Sequence, residues 1–162
     1  MKILISDVTD IPVQAGNELK ILTDDKKLHH CIGCFGCWIK TPGKCVIKDD
    51  YMNMGEELAK CETLILISHC TYGGLSPFVK NILDRSISYI SPYFKIINNE
   101  THHQRRYDNT FEIVAYFYGM DLSEREKELA TDVVNAFAVN FHAQVSEICF
   151  CETTEQVKEL IV

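Results

Sequence analysis

The chain has 162 residues, of which 24% are charged, and its formal net charge is −7 at pH 7. A chain of this length suits a single domain, residues 1–162, that buries a substantial core without disulfides. Its acidic balance argues against nucleic-acid partners, which usually meet a basic face. The first apolar run is too short for a signal peptide and no run approaches a membrane span. We therefore expect a cytoplasmic protein without a membrane partner.

Short apolar runs alternate with helical patterns along the chain. The runs predict five strands, at residues 2–6, 19–22, 63–68, 111–118 and 145–150. An acidic first turn, an N-terminal proline and capping residues predict helices that begin near Asp49, Pro77, Ser123 and Thr153. This alternation predicts an α/β fold with a mostly parallel, doubly wound sheet.

The link between the first two strands, residues 7–18, contains Pro12 and Gly16 and has no helical periodicity. A parallel crossover usually needs a dozen or more residues and a helix. We therefore expect a first helix that is reduced or missing. The link either crosses as an extended loop or leaves the second strand paired in another way.

A long aromatic segment, residues 91–110, lies before the strand at 111–118. It includes the adjacent pair His102 and His103, which is weak evidence for a metal. Long loops in compact domains are often functional. The alternative is an arm that packs on the domain's own surface or on a second subunit.

Three cysteines, Cys31, Cys34 and Cys37, follow a Cys-x2-Cys-x2-Cys spacing. Gly33 and Gly36 between them let the backbone curl around one centre. The turn-forming segment 40–44 is expected to bring a fourth cysteine, Cys45, back toward the other three. Four thiolates suit either a [4Fe–4S] cluster or zinc. The alternative is that these cysteines are small buried hydrophobes, or remain from a metal site that was lost.

A parallel sheet of this class binds ligands beyond the carboxyl ends of its strands. The cysteine loop, residues 70–76 and residues 118–122 all follow predicted strands. We therefore expect a binding site between these three loops.

Several of these segments together resemble the flavodoxin-like NAD(P)H-dependent FMN reductases, in the same order along the chain. They are the cysteine segment 31–50, the stretch Thr71-Tyr72-Gly73-Gly74-Leu75-Ser76-Pro77 with Lys80 and Leu83-Asp84-Arg85, and Tyr118-Gly119. The cysteine spacing resembles in particular the iron-sulfur flavoproteins of that superfamily. The resemblance implies a flavodoxin-like fold, FMN as cofactor and a homodimer or larger homo-oligomer.

The resemblance also implies a set of flavin-binding residues: Thr71, Tyr72, Gly73, Gly74, Ser76, Tyr118 and Gly119. Glycines would let the backbone approach the ring and an aromatic side chain would stack on it. Ordinary packing at strand ends is the alternative for Tyr72 and Tyr118. On the flavin interpretation, Gly73→Val is predicted to abolish flavin binding while leaving the fold intact.

The first loop departs from the family's pattern. Relatives hold the FMN phosphate on a loop rich in Ser, Thr and Asn that caps a helix. The matching stretch here, residues 6–12, contains Asp7 and Asp10 and no basic residue. The chain thus resembles a member with a shortened amino-terminal region that lacks the usual phosphate-binding loop. Each acid would repel a phosphate by roughly a kcal/mol or more if close and partly shielded.

The resemblance implies an FMN-dependent oxidoreductase or electron-transfer protein, in which the flavin takes a hydride from a nicotinamide and passes electrons to an unknown acceptor or to a cluster. Accordingly, the sequence contains no convincing catalytic triad, and no side chain is assigned as catalytic. The alternative functions are a metal-binding protein without flavin and a cofactor-free interaction module.

Overall fold

The computed structural model describes residues 1–13 and 18–161. Its strands are β1 (Lys2–Ser6), β2 (Leu19–Thr23), β3 (Thr63–His69), β4 (Ile90–Ile97), β5 (Glu100–Arg105), β6 (Glu112–Tyr118) and β7 (Gln144–Cys151). Its helices are α1 (Gly36–Ile39), α2 (Met54–Leu58), α3 (Pro77–Arg85), α4 (Glu124–Phe141) and α5 (Thr154–Leu160), with a 3-10 helix at Ser86–Tyr89.

Five strands form one parallel sheet in the order β2-β1-β3-β6-β7. Numbered along the chain, the sheet strands follow the 2-1-3-4-5 order of flavodoxin-like proteins. The second strand pairs in parallel with β1, with Lys2 opposite Leu19. The predicted doubly wound α/β fold is confirmed, and the pairing that the sequence left open is settled.

The link from β1 to β2 contains no helix in its described part, residues 7–13. Gly16 lies outside the described residues. Val8, Ile11 and Val13 pack instead on the sheet face that α5 covers through Val157. The described part of the link, residues 7–13, thus lays its apolar side chains on the sheet without forming a helix.

The two faces of the sheet carry different cores. Alternate residues of β1, β3 and β6, such as Ile3, Leu64 and Phe117, face the larger core, to which α2, α3 and α4 contribute. The residues between them, such as Leu4 and Ile67, face α5. Because both faces of each central strand are covered, their near-continuous apolar runs are explained.

Two predicted elements differ from the structure. Helix α2 begins at Met54 rather than at Asp49. The residues between them form a turn, in which Asp49 Oδ1 accepts from the Tyr51 N–H at 3.1 Å. The segment predicted as a long loop forms the antiparallel hairpin β4–β5, in which Asn98 and Asn99 adopt the positive φ values typical of tight hairpin turns.

The hairpin packs on the chain's own surface. His102 Nδ1 lies 3.2 Å from Asn140 Oδ1 of α4, and His142 Nε2 donates to the His103 carbonyl at 3.0 Å. His103 Nδ1 lies 2.9 Å from the Ser91 carbonyl. These contacts explain both histidines without a metal.

Within the described ranges, no helix combines the length and the apolar character that a membrane crossing needs.

Candidate functional site

The four predicted metal ligands meet at one cavity. Its volume is about 70 Å³, and it is lined by Cys31, Cys34, Cys37 and Cys45 together with apolar side chains, among them Ile32, Val46 and Ile87. Cys37 is buried, Cys45 is half-buried, and Cys31 and Cys34 are exposed. The structure thus places four thiols around one small, largely apolar space.

Local backbone geometry builds this arrangement. Gly33 has a φ of +63°, and a Cβ on Gly36 would lie 2.5 Å from Val46 Cγ1. Glycine is therefore needed at position 36 for the two sides of the loop to meet. The Thr41 hydroxyl donates to the Lys44 carbonyl at 2.8 Å, closing the predicted turn that returns the chain to Cys45.

Trp38, the chain's one tryptophan, anchors the cysteine loop to the domain. Its indole N–H donates to the Ile87 and Ile90 carbonyls, both at 3.1 Å. Its ring lies 5.4 Å from that of Phe35 and 4.9 Å from that of His103 in the hairpin. A buried indole N–H needs such a partner, so these contacts fix α1 against the 3-10 helix.

Arg85, the last residue of α3, lies behind Cys45. Its Nε donates to Cys45 Sγ at 3.2 Å, and its two terminal nitrogens meet both Asp49 oxygens at 2.8 and 2.6 Å. Burial raises the Asp49 pKa, but the Arg85 hydrogen bonds and charge outweigh it and leave that pKa below its ordinary value. The pair is a nearly neutral unit beside the cavity.

Burial, together with the neighbouring thiols, raises the pKa of Cys37.

Among residues 1–13 and 18–161, no three His, Cys, Asp or Glu side chains are grouped closely enough to hold a metal ion. The four thiols therefore share a cavity without converging on one point. The donor set suits a cluster with one cysteine on each iron, and the assignment of these four cysteines as ligands stays a prediction.

The predicted ring-binding loop follows β3. Tyr72 is 91% exposed, with a φ of +51°, and the Thr71 and Gly74 backbones bond each other at 2.9 Å in both directions. A tight turn thus presents the Tyr72 ring to solvent. This side chain is free to stack on a planar ligand.

Other residues of the predicted flavin site have structural partners. A Cβ on Gly73 would lie 2.7 Å from Leu129 Cβ of α4, and one on Gly119 would lie 3.0 Å from Leu122. Ser76 is buried and caps α3 by accepting from the Val79 N–H. Gly73 is therefore needed for packing on α4. The prediction that Gly73→Val leaves the fold intact is wrong on this geometry.

Asp7 is already satisfied at the end of β1. Its carboxylate accepts from the His69 N–H at 2.8 Å and from the Tyr118 hydroxyl at 3.0 Å. Burial and this carboxylate raise the pKa of Tyr118. Asp10 pairs with Lys158 of α5 at 2.5 Å. Where a phosphate would meet this loop, it would face the carboxylate of Asp7, which is hydrogen-bonded to β3 and β6.

Two hollows open near the carboxyl ends of the strands. One of about 260 Å³ lies between the end of β2 and the start of α3, lined by residues that include His30, Pro77 and Asn81. The other, of about 400 Å³, is lined by residues that include Gly119 and Gln156. Asn81 also accepts from the Cys31 N–H at 3.0 Å, so the first hollow adjoins the cysteine loop.

We expected a site between the cysteine loop and the loops at residues 70–76 and 118–122. The cysteine cavity does not lie there, because neither of those two loops lines it. It lies along α3 toward Arg85 and Ile87, whereas α3 begins at the sheet's carboxyl edge with Pro77. His30 lines the hollow beside Pro77, and the Cys31 N–H bonds Asn81 of α3. Sequence reasoning quoted Arg85 but missed its role. The sequence pattern that could have revealed its burial is the helical spacing of Phe78, Ile82 and Arg85, which places Arg85 on the same face of α3 as two core residues.

Comparisons with known proteins agree with this fold. An iron-sulfur flavoprotein of Methanocaldococcus jannaschii is 33% identical over 85 residues, a match that covers 52% of this chain and 43% of the relative. The Trp repressor binding protein from Bacillus subtilis matches with a TM-score of 0.51 at 13% identity, over 94% of this chain and 86% of that chain. No protein-family model matches the chain. The fold is flavodoxin-like.

Proposed function

We propose that this protein is a flavin-dependent redox protein whose four-cysteine cavity holds a [4Fe–4S] cluster. The observation that carries the proposal is the position of Cys31, Cys34, Cys37 and Cys45 around one cavity. The flavodoxin-like fold and the distant likeness to an iron-sulfur flavoprotein support a flavin on the same chain. Cysteine thiolates are the usual ligands of such clusters.

The residues have distinct roles in this proposal. The four cysteines hold the cluster, and Ile32, Val46 and Ile87 line its cavity with apolar surface. Tyr72 stacks on the flavin ring, beside the backbone of the tight turn. The cofactors supply the electron-transfer chemistry, with a nicotinamide as donor and an unknown acceptor. We further propose a homo-oligomer, as the family resemblance implies, and a cytoplasmic location, as expected from the sequence.

FMN is the proposed flavin, but its phosphate does not fit the first loop. Residues 7–13 offer Asp7 and Asp10 and no basic side chain, and Lys158, which reaches the loop, is paired with Asp10. The contacts of Asp7 with His69 and Tyr118 occupy donors that a phosphate would otherwise use. We therefore expect weak FMN binding.

The absorption spectrum of protein purified without air tests the proposal, with iron, sulfide, zinc and flavin measured on the same sample. We expect flavin bands, a broad brown absorption and about four irons per chain, the content of a [4Fe–4S] cluster. Cys34→Ser should remove the iron. Cys149→Ser is the control, because Cys149 lies in β7 outside the cysteine loop.

A second candidate is a metal-binding protein without flavin, favoured by the satisfied Asp7 carboxylate. A protein that holds stoichiometric zinc or iron with sulfide, loses it in Cys34→Ser and fails to bind added FMN would support this candidate. A protein with neither metal nor flavin, whose four cysteines react as free thiols, would contradict both candidates and leave a cofactor-free module.

A further inference from the structure

The Arg85 side chain is completely buried, with 0% of its surface exposed. Burying a guanidinium is costly in desolvation unless its charge and its N–H groups are satisfied. Here Asp49 neutralises the charge through two close contacts, and the remaining donors reach the His29 and Ile47 carbonyls and the Cys45 sulfur.

These partners bracket the cysteine loop in sequence. His29 precedes Cys31, whereas Ile47 and Asp49 follow Cys45. Nη1 donates to the His29 carbonyl at 2.7 Å, and Nη2 lies 2.6 Å from Asp49 Oδ1. One rigid side chain therefore ties the two ends of the loop together and fixes both ends to α3.

We propose that Arg85 is the positioning residue of the cysteine site: it closes the loop around the metal and, through its N–H donated to Cys45, sets the reduction potential of the bound centre. This inference deepens the proposed function and rests on it for the metal. Closure of the loop by Arg85 is tested on metal-free protein as well.

The direction of the potential follows from charge. A hydrogen bond donated to a ligand sulfur stabilises the more electron-rich, reduced centre, so it raises the potential. Removing Arg85 should lower it. Neutralising Asp49 should raise it, because the guanidinium charge beside Cys45 is then unopposed. A purely structural role for this pair would not give shifts of opposite sign.

The planar guanidinium is also required for geometry. Its donors reach a carboxylate, two carbonyls and a sulfur in different directions, whereas a lysine ammonium is a compact point charge on a flexible stem. Arg85→Lys should therefore keep the charge but lose the tie between residues 29 and 47–49. Partners of metal ligands typically contribute roughly 10- to 100-fold to metal affinity.

The test compares Arg85→Lys, Arg85→Gln and Asp49→Asn with wild type, and Arg125→Gln is the control. Arg125 is exposed on α4 and pairs with the equally exposed Glu128. The readouts are iron remaining during a chelator challenge, the midpoint potential of the iron that remains, and, in metal-free protein, Trp38 fluorescence and tryptic cleavage after Lys40, Lys44 or Lys48.

We expect iron to be held roughly 10- to 100-fold less tightly in Arg85→Lys and Arg85→Gln, with a potential shifted down in Arg85→Gln and up in Asp49→Asn. Metal-free Arg85→Lys should be cut faster in the loop and show redder Trp38 emission. The control should match wild type in every readout.

The inference is overturned if Arg85→Lys retains iron and resists loop cleavage as wild type does, or if Arg85→Gln and Asp49→Asn shift the potential in the same direction. Should Arg85→Gln not fold, Arg85→Lys and Asp49→Asn still decide the question. A wild-type protein that binds no metal contradicts the proposed function, and unchanged cleavage of metal-free Arg85→Lys then contradicts closure of the loop separately.

Discussion

Arg85 and Asp49 form a two-pronged ion pair, with Nη1 2.8 Å from Oδ2 and Nη2 2.6 Å from Oδ1, and their side chains are 0% and 10% exposed. Breaking such a pair leaves a buried charge without its partner. We expect Asp49→Asn to lower the free energy of unfolding by about 3 kcal/mol, measured by urea denaturation of metal-free protein.

The neighbouring ion pair of α3 provides the control for that measurement. Lys80 and Asp84 are four residues apart, with side chains 62% and 47% exposed. Asp84→Asn should cost only about 0.3–0.5 kcal/mol, as for other exposed helix pairs. Equal losses in the two variants would contradict the view that the Arg85 pair depends on burial.

Asp7 predicts a selectivity between flavins. Its carboxylate stands at the end of β1 where a phosphate would meet the loop. Asp7→Asn removes the charge with little change in shape. We expect its FMN affinity to rise by roughly fivefold, about 1 kcal/mol, in fluorescence titrations, and its riboflavin affinity to stay the same.

Asp132→Asn, an exposed site on α4, is the control for net charge and should change neither affinity. If Asp7→Asn strengthened both flavins equally, its effect would not act through the phosphate. The explanation would then be a local rearrangement near Tyr118.

Alanine substitutions at Gly73 and Gly33 distinguish the stability cost of overpacking from that of backbone strain. Both glycines have positive φ, +77° and +63°. A Cβ on Gly73 would lie 2.7 Å from Leu129 Cβ, whereas one on Gly33 would have no atom of the described residues within 4 Å. Gly73→Ala should therefore cost about 3 kcal/mol, including overpacking. Gly33→Ala should cost about 1 kcal/mol, from the left-handed backbone alone.

Urea unfolding of the two alanine variants measures this difference directly. A Gly73→Ala protein with wild-type stability but no flavin binding would contradict the packing role. That result would restore the ring contact that the family resemblance implied.

His142 predicts a pH dependence of stability. Burial and the charges of Lys95 and Arg105 lower its pKa below the ordinary 6.5, despite its hydrogen bond to the His103 carbonyl. The unfolded chain therefore takes up a proton at higher pH than the folded chain does. Stability should be fully present above pH 6.5 and fall as the pH drops through the folded pKa.

His142→Asn is the suitable variant, because His142 ends α4 at φ +53° and asparagine tolerates this conformation. Urea midpoints measured at pH 7.5 and 5.5 should fall more in wild type than in the variant. An equal fall in both proteins would assign the pH dependence to other groups.

Local patterns in the sequence predicted much of the fold. The apolar runs at β1, β3 and β6 mark strands covered on both faces, and the Ser123–Glu126 capping box marks the start of α4. The turn before Cys45 was predicted from turn-forming residues. These features depend on neighbours in the chain, so short-range chemistry is sufficient to predict them.

Features that depend on distant partners were missed. The hairpin β4–β5 was not predicted, because the polar sequence around His102 and His103 lacks a strand pattern. Its contacts with Asn140 and His142, which are distant in the chain, hold it on the domain. The start of α2 was misplaced, because Asp49 pairs with the distant Arg85 and its bond from the Tyr51 N–H closes only a turn that precedes the helix.

The sequence by itself determined the α/β class, the presence of a four-cysteine loop and the acidic first loop. Only the tertiary structure decided that the four thiols share one cavity, that Gly73 packs on Leu129, and that Arg85 lies buried behind Cys45. The physical reason is that packing and burial bring together residues far apart in the chain, and a local sequence pattern does not identify those partners.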